Sequence, residues 1–255
     1  MLIAITREVS PAIAHCELTH LQRQPIDYAL ACQQHRAYQT ALAELGCEVH
    51  TLPAEAELPD SVFVEDTAIV LEEVAVITRP GAESRRAETA SMARALQPYR
   101  LLRFIQAPAT VDGGDVLRVG KRLYVGLSTR SNQAAIEQMQ TWLEPYGYTV
   151  QGVPVTGCLH LKSAVTQLAA DTLLINPQWV DATVFGDMKL IEVDPAEAYA
   201  ANVVMAGGGL IYPANFPRTR LKLAALGLPL KIVDVSELQK AEGAVTCCSL
   251  IFDAE

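Results

Sequence analysis

The sequence predicts an α/β fold of the propeller type, with five strand–strand–helix–strand (ββαβ) units around one axis. This pattern recurs at a spacing of roughly 45 residues, which is typical of repeat architectures. Hydrophobic residues make up 50% of the 255 residues, enough for a sizeable core. One unit cannot cover its own apolar face, whereas five packed units can. No linker or low-complexity segment interrupts the pattern, so residues 1–255 are predicted to form a single domain.

The elements of the first three units follow from hydrophobic periodicity. Short apolar runs between turn residues predict strands, and apolar residues at helical spacing predict helices; Gly46 is a typical residue after a helix C-terminus. The predicted strands are residues 2–6, 47–52, 67–71, 74–78, 101–105, 116–119, 123–127 and 149–153. The predicted helices are residues 27–45, 84–96 and 132–146.

The last two units are read in the same way, and the fourth is the least regular. Its predicted strands are residues 164–168 and 172–176. The fifth unit has strands at 202–206, 209–212 and 231–233, a helix at 218–227 and, in this interpretation, the terminal strand 249–252. Turns after corresponding strands would converge at one mouth, and most of the polar candidate residues lie in such turns.

Residues 10–25 have no regular period and are predicted to form a long surface loop, called loop 10–25 below. Loops of this length are uncommon unless they are lids or are disordered. We expect a lid that closes over a bound ligand, with Leu18 near its tip.

Composition and charge exclude several classes of function. The net charge of −9 and the pI of about 5.1 argue against a nucleic-acid partner, which needs a basic face, and suit a small cationic substrate. The first residues have the pattern of a strand rather than of a signal peptide, and no run approaches the roughly 20 apolar residues of a membrane span. We therefore expect a cytoplasmic protein. The six cysteines lack CxxC spacing, which argues against structural zinc.

Two adjacent thiols, Cys247 and Cys248, lie where a loop leads into the last strand. A thiol held there can be a nucleophile if its pKa is lowered or a base takes its proton. The alternative is a pair of small core residues, since free cysteine is among the most buried residue types.

Carboxylates with apolar neighbours are the next candidates. Asp60, Glu65 and Asp66 lie beside apolar strand residues, where carboxylates need cationic partners, although an exposed charged turn is the alternative. Asp112 opens the segment Asp-Gly-Gly-Asp115, whose glycines let backbone approach a ligand closely; a solvated glycine turn is the alternative.

Arginines and one histidine complete the candidate set. Arg85 and Arg130 follow the second strands of two units and could bind a carboxylate bidentately, unless they are merely solvated. His160 alternates with leucines at the start of the fourth unit, where a lone histidine is more often a satisfied core residue.

Taken together and in order, six motifs resemble those of the dimethylarginine dimethylaminohydrolase family, in the guanidine-modifying pentein superfamily. They are Phe63-Val-Glu-Asp-Thr67, Thr78-Arg-Pro-Gly-Ala-x-Ser-Arg-Arg86, Asp112-Gly-Gly-Asp-Val-Leu117, Gly126-Leu-Ser-x-Arg-x-Asn-Gln133, Leu159-His-Leu-Lys-Ser163 and Thr246-Cys-Cys-Ser249. The superfamily is built as an α/β propeller of five ββαβ units, which agrees with the repeat.

The resemblance implies a role for each candidate. Cys247 would be the nucleophile and His160 the general acid and base, while Asp66 and Asp112 would hold a guanidinium; superfamily members often carry Glu at the position of Asp112. The remaining substrate contacts would come from the arginines near an α-carboxylate, from two further acidic residues and from two backbone groups: Arg85, Arg130, Asp60, Glu65, Leu18 and Ala241.

The implied activity is hydrolysis of asymmetric dimethylarginine or monomethylarginine to citrulline and an amine, with no metal or organic cofactor. Two alternatives stay open at this point. One is an arginine or agmatine deiminase of the same superfamily, and the other is a non-catalytic propeller that binds a partner. The motifs do not define the oligomeric state, and a homodimer is one arrangement to test.

Overall fold

The computed structural model describes residues 1–254, in which short strands alternate with helices and turns. The strands are β1 (Leu2–Arg7), β2 (Glu48–Leu52), β3 (Ala68–Val70), β4 (Val74–Ile77), β5 (Leu101–Phe104), β6 (Val116–Val119), β7 (Arg122–Leu127), β8 (Thr149–Pro154), β9 (Val165–Ala169), β10 (Thr172–Ile175), β11 (Lys189–Glu192), β12 (Val204–Ala206), β13 (Gly209–Pro213), β14 (Leu230–Val233) and β15 (Leu250–Asp253). The helices are α1 (Tyr28–Glu44), α2 (Thr89–Leu96), α3 (Gln133–Leu143), α4 (Leu161–Ala164), α5 (Pro217–Ala224) and α6 (Ser236–Gln239).

Within residues 1–254 the strands form five three-stranded sheets, which are the blades of the predicted propeller. The strand orders are β15-β1-β2, β3-β4-β5, β6-β7-β8, β9-β10-β11 and β12-β13-β14. In every blade the middle strand pairs antiparallel with the first and parallel with the third. The parallel pair needs a crossover connection, which a helix supplies in most blades. The predicted five-bladed α/β fold of ββαβ repeats is confirmed.

The terminal strand closes the first blade, so its assignment to the fifth unit was wrong. β15 pairs with β1 in the register Leu2 to Asp253 and Ile5 to Leu250. The amino group of Met1 also donates to the carbonyl of Ala254 at 2.9 Å. Hydrophobic periodicity locates a strand along the chain, but it does not identify the strand with which it pairs.

The fourth blade is the least regular, as the sequence indicated. Its crossover contains the short 3₁₀ turn Ala182–Phe185, and its third strand, β11, was missed. β11 offers only two partly buried apolar residues, Leu190 and Ile191, between charged ones, and this pattern is too short for a periodicity signal.

The first strands of the blades pack around the axis, with β15 against β3, β6 against β9, and β9 against β12. Apolar side chains fill the space between neighbouring blades; Ile3 and Ile5 of β1, for example, pack with Met92 of α2 and Phe252 of β15. Because the first strands share one direction around the axis, the turns that precede them open at the same mouth.

Loop 10–25 is irregular, as predicted, and it is anchored to the body of the protein. It contains one 3₁₀ turn, Ile13–His15, whose Ile13 is buried together with Cys16. The hydroxyl of Ser10 donates to the carbonyl of Glu55 at 3.0 Å. The part of the loop after Cys16 lies over the mouth of the propeller. None of the helices in residues 1–254 is both long and apolar enough to cross a membrane.

Candidate active site

The turns that precede the first strands of the blades bring one functional side chain each to the mouth. Asp66 precedes β3, Asp112 precedes β6, His160 precedes β9, Asn202 precedes β12 and Cys247 precedes β15. The sequence interpretation placed the converging groups in turns after strands, which is true of Arg85, of Arg130 and of Leu18 in the loop after β1. Both kinds of turn meet because the first two strands of each blade are antiparallel.

His160 lies between two carboxylates. Its Nε2 atom is 3.1 Å from Oδ2 of Asp112, and its Nδ1 atom is 3.9 Å from Oδ1 of Asp66. The imidazole is almost completely buried, as are both aspartates. Burial alone would lower the pKa of His160, but the charges of Asp66, Asp112 and Asp115 outweigh it and raise that pKa to about 9. His160 is therefore protonated at neutral pH.

Asp66 is ionised, and both of its carboxylate oxygens accept hydrogen bonds. Burial would raise its pKa, but His160, Arg85 and the amide of Gly114 lower that pKa to about 2. The Gly114 amide donates to Oδ1 at 2.9 Å. Glycine is required at this position because a Cβ atom would lie 2.6 Å from Nδ1 of His160 and 2.8 Å from Oδ1 of Asp66.

Arg85 is tied to acidic groups rather than exposed. Its Nη1 atom donates to Oδ2 of Asp66 at 2.5 Å, and its Nε and Nη2 atoms donate to both oxygens of Glu88 at 3.1 and 2.8 Å. Nη2 also donates to the carbonyls of Asp60 and Phe63. One N–H of Nη1 is left for a ligand, since a guanidinium carries five donors.

Arg130 has fewer partners. Its Nη2 atom donates to the hydroxyl of Thr19 in loop 10–25 at 2.9 Å, and its Nη1 atom lies 3.7 Å from Oδ2 of Asp112. The other oxygen of Asp112 accepts from the amide of Gly81 at 2.8 Å. Arg130 can therefore exchange its contact with the loop for a contact with an anionic ligand.

Cys247 lies in the 3₁₀ turn Thr246–Cys248, which leads directly into β15, as the sequence had indicated. The turn directs its partly buried side chain to the cleft, where Sγ accepts from the amide of Ala244 at 3.4 Å. Burial, followed by the charges of Glu65 and Asp66, raises the pKa of the Cys247 thiol. Without a cation beside it, the thiol is protonated at neutral pH.

Cys248 occupies the core instead. Its side chain is fully buried, and Sγ donates to the carbonyl of Ala244 at 3.4 Å. The sequence left open whether the cysteine pair supplies a nucleophile or two core residues, and the structure separates the two positions. Cys247 borders the cleft, and Cys248 packs among apolar residues of the core.

A buried polar cluster lies beneath the turn that carries Cys247. Nζ of Lys162 is 2.5 Å from Oε1 of Glu65, and the hydroxyl of Thr246 donates to Oε2 at 2.9 Å. Asn202 accepts from the amide of Thr246 at 3.0 Å and donates to its hydroxyl at 2.9 Å. Burial raises the pKa of Glu65, and Lys162 opposes that rise. The cluster links three blades to the turn of Cys247.

The cleft itself is narrow, with a free volume of about 20 Å³, which is room for about one water molecule. Loop 10–25 covers it: the amide of Glu17 donates to Oδ2 of Asp60 at 3.0 Å, and the hydroxyl of Ser84 donates to Glu17 at 2.6 Å. An amino-acid ligand therefore requires movement of this loop.

Most of the residues singled out from the sequence are brought together. The cleft is lined by residues 17, 63 and 159, by two residues of the segment before the nucleophile, and by the candidates Asp60, Asp66, Arg85, Arg130, His160, Ala241 and Cys247. Asp112 lies directly behind His160, and Glu65 lies in the cluster below. Leu18 follows Glu17, with its side chain packed against core residues and its backbone in the loop over the cleft.

Four polar residues of the site were not recognised from the sequence: Lys162, Asn202, Glu88 and Asp115. Lys162 and Asp115 lie inside quoted motifs but were given no role. Asp115 is fully buried, accepts from the hydroxyls of Ser128 and Ser131 and from the amide of Leu161, and has its pKa raised to about 6 by burial. It fixes the backbone directly after His160.

Ligand atoms of Asp66, Asp112 and His160 all lie within 4.8 Å of one another, a spacing that could suit a metal ion. Each atom already has a partner, however, since Asp66 is paired with Arg85 and Asp112 with His160. A proton on His160 competes with a metal for the same place, so at neutral pH the group is better described as a hydrogen-bonded acid–base cluster.

A propeller of ββαβ blades with a thiol, an imidazole and paired carboxylates at its mouth defines a member of the pentein superfamily. The family described as N,N dimethylarginine dimethylhydrolase, eukaryotic, matches residues 14–181. N(G),N(G)-dimethylarginine dimethylaminohydrolase of Streptomyces coelicolor is 41% identical over 257 aligned residues, which cover 97% of this chain and 95% of that protein. The chain belongs to the dimethylarginine dimethylaminohydrolase family.

Other relatives agree with this assignment. The protein of the same name from Pseudomonas aeruginosa is 42% identical over 229 residues, covering 89% of this chain and 90% of that protein. A solved structure of a mutant of the P. aeruginosa protein in complex with citrulline has a TM-score of 0.94 at 38% identity and covers 98% of both chains. The N-terminal domain of an arginine dihydrolase from cyanobacteria shares the fold, with a TM-score of 0.86 at 20% identity.

Proposed function

We propose that the protein hydrolyses asymmetric dimethylarginine or monomethylarginine to citrulline and dimethylamine or methylamine. The observation that carries the proposal is the placement of Cys247 at a narrow cleft with His160 held between Asp66 and Asp112. Membership of the family and its likeness to relatives of that name support it. The net charge of −9 is compatible with a cationic substrate.

The reacting end of the substrate would be held by the aspartates. The carboxylate of Asp66 lines the cleft, and charge-assisted hydrogen bonds from the guanidinium nitrogens would fix the planar cation against Cys247. Asp112 would be the second carboxylate of this pair, but its reach is shorter than that of Glu, and in the ligand-free site it lies fully buried behind His160, with Oδ2 3.1 Å from Nε2. These groups therefore serve orientation and electrostatics together.

The amino-acid end would be held by groups at the other side of the cleft. Arg130, with the remaining N–H of Arg85, would bind the α-carboxylate. Asp60 and the backbone carbonyls of Leu18 and Ala241 would accept from the α-ammonium group. Glu65 would act from below, by holding the turn that carries the nucleophile.

The bound substrate would activate the thiol. The pKa of Cys247 is raised in the free protein, and a guanidinium placed beside the sulfur favours the thiolate because opposite charges stabilise each other. The thiol proton would pass to solvent, since His160 already carries its proton. The activation is then specific to a cationic substrate. A neutral isostere would leave the thiol protonated and unreactive.

The proposed reaction has two steps. Thiolate Sγ of Cys247 forms a bond to the central guanidinium carbon, and the C–N bond to the methylated nitrogen breaks as His160 donates its proton to the departing amine. A covalent thiouronium remains on Cys247. His160 then accepts a proton from water, and the hydroxide adds to the same carbon. The C–S bond breaks as the remaining hydroxyl proton passes to solvent, which releases citrulline and the thiolate.

Three further features are part of the proposal. Residues 1–255 act as one catalytic domain. The protein works in the cytoplasm, where thiols stay reduced, which suits the free state of the cysteines found in residues 1–254. A homodimer stays a prediction to be tested by light scattering.

The direct test is the formation of citrulline from asymmetric dimethylarginine by the purified protein, with arginine and agmatine as competing substrates. Turnover of the methylated substrate that far exceeds that of arginine supports the proposal. Preferential turnover of arginine or agmatine would instead make the protein a deiminase, and no citrulline with any substrate would favour a binding function. Cys247→Ser is the matched inactive control.

A further inference from the structure

Glu242 lies between the mouth of the propeller and loop 10–25, and nothing in the proposed reaction uses it. Its carboxylate accepts from the amides of three consecutive loop residues: Oε2 from Thr19 at 2.9 Å, and Oε1 from His20 and Leu21 at 2.5 Å each. Consecutive amides that point at one anion form a concave binding site for negative charge. The carboxylate of Glu242 is thus placed to accept hydrogen bonds from the backbone amides of the loop.

The backbone at Glu242 supports a role for its side chain. Among residues 1–254 it is the one non-glycine residue with a positive φ, at 59°. Its position follows α6, and the amide of Gly243 donates to the carbonyl of Leu238 at 3.0 Å, a helix ending at which glycine is the usual residue. A glutamate there accepts an unfavourable backbone conformation, which indicates that its carboxylate is needed.

Apart from the hydrogen bond of Ser84 to Glu17, which lies outside residues 19–21, the other contacts between the loop and the cleft involve groups that the proposed substrate would use. Asp60 accepts from the amide of Glu17, and Arg130 donates to Thr19. When a substrate binds to Asp60 and Arg130, the hydrogen bonds of these two residues to the loop would be broken. The contacts of Glu242 involve neither residue, so they can persist while the substrate is bound.

We infer that Glu242 is the positioning residue of the closed site: it holds residues 19–21 over the cleft after Asp60 and Arg130 have turned to the substrate. Glu242 directly follows Ala241 and lies five positions before Cys247, so it joins the loop to the segment that carries the nucleophile. This inference rests on the proposed function for its kinetic consequence. The anchoring itself does not depend on any substrate.

Amide hydrogen exchange in the ligand-free protein tests the anchoring. Glu242→Gly removes the carboxylate and also relieves the left-handed backbone, so loss of folding is not expected to obscure the result. Glu242→Gln keeps the length but offers one acceptor oxygen for three donors. We expect the amides of Thr19, His20 and Leu21 to exchange at least ten-fold faster in both variants. Unchanged exchange in Glu242→Gly would overturn the inference.

Steady-state kinetics test the consequence for the reaction. We expect KM for asymmetric dimethylarginine to rise at least five-fold in Glu242→Gly, with a much smaller change in kcat, and we expect Glu242→Asp to recover part of the loss. The matched control is Glu44→Gln, which alters a half-exposed glutamate paired with Lys231. Faster exchange with an unchanged KM would overturn the positioning role.

Failure of the proposed function would look different from failure of this inference. If the unmodified protein forms no citrulline, the proposed function is wrong, and the exchange comparison still decides whether Glu242 anchors the loop. If the unmodified protein forms citrulline, and Glu242→Gly has the same amide exchange rates and the same KM, only the inference about Glu242 is wrong.

Discussion

Nε2 of His160 and Oδ2 of Asp112 are 3.1 Å apart in a site closed to solvent. In that position the carboxylate stabilises the protonated imidazole, which is the form that can donate to a departing amine. Asp66, whose charge has the largest raising effect, and the buried Asp115 act in the same direction, and the three carboxylates together raise the pKa of His160 to about 9. The proton needed for the first step is therefore already in place before substrate arrives.

Replacing Asp112 tests this relationship. In Asp112→Asn the negative charge beside Nε2 is lost, so the pKa of His160 should fall by about one unit or more. The measurement is an NMR titration of the His160 ring in the ligand-free protein. Asp187→Asn, which removes a charge at an exposed site, is the control and should leave the titration unchanged. An unchanged His160 pKa in Asp112→Asn would show that the pair is not coupled.

The raised pKa of His160 also has a consequence for stability. A histidine binds its proton more tightly in the folded state than in the unfolded state, where its pKa is about 6.5. Its contribution is therefore fully present below pH 6.5 and is lost as the pH rises through about 9. The full contribution is on the order of 3 kcal/mol, since one pKa unit corresponds to about 1.4 kcal/mol.

Urea unfolding at pH 6 and pH 9.5 measures that contribution. We expect the free energy of unfolding of the unmodified protein to fall between these values by more than that of His160→Gln. Other buried acids, such as Glu88 with its pKa raised to about 7 by burial, change stability in the same direction, so the difference between the two proteins is the informative quantity. Equal pH dependence in both would contradict the pKa assignment.

The cysteine pair gives the sharpest catalytic prediction. Cys247→Ser should abolish turnover, because a serine hydroxyl is a far weaker nucleophile than a thiolate. Cys248→Ser should keep most of the turnover and lose about 1–2 kcal/mol of stability, since it places a hydroxyl in an apolar core. Mass spectrometry of a quenched reaction should find the covalent adduct on Cys247. An adduct on Cys248 would reverse the assignment.

Much of this arrangement could be predicted from the sequence because its signals are local. Helix α1 and most strands follow the period of their apolar residues, and the candidates Cys247 and His160 lie within motifs whose order is informative. Glu88 was not recognised, because it was expected inside the helix 84–96, where a glutamate is normally solvated; in the structure residues 83–88 form a 3₁₀ segment that brings Glu88 to Arg85. The pairing of β15 with β1 joins residues at opposite ends of the sequence, and no local pattern encodes such a contact.

The two arginines of the cleft should behave differently. Arg130→Ala removes the freer guanidinium, so KM should rise about ten- to hundred-fold with little change in kcat, as expected for contact with a group that does not react. Arg85→Ala should raise KM and also destabilise the fold by about 3–5 kcal/mol, because Asp66 and Glu88 lose a buried cationic partner.

Kinetics and thermal unfolding of both variants separate these effects, with exposed Arg122→Ala as the control. A normal KM for Arg130→Ala, combined with a loss of kcat, would show that this side chain acts at the reacting end of the substrate. Arg85→Ala of normal stability would show that its ion pairs with Asp66 and Glu88 contribute little.

The ion pair between Glu65 and Lys162 is the last feature to test, because it supports the nucleophile without touching it. Both side chains are largely buried, and Glu65 also holds the hydroxyl of Thr246. Lys162→Met leaves the carboxylate without its cation, which should cost about 3–5 kcal/mol of unfolding free energy. In Glu65→Gln/Lys162→Met no charge remains unpaired, so most of that loss should be recovered.

Unfolding in urea gives the free energy of unfolding of the single and the double variant. The exposed ion pair of Glu44 and Lys231 is the control, since removing an exposed pair costs about 1 kcal/mol or less. If the double variant regains stability but not kcat, the pair contributes to catalysis by fixing the turn of Cys247 through Thr246. If kcat also returns, a neutral amide at position 65 positions that turn equally well. A double variant no more stable than Lys162→Met would contradict the view that the unpaired charge causes the loss.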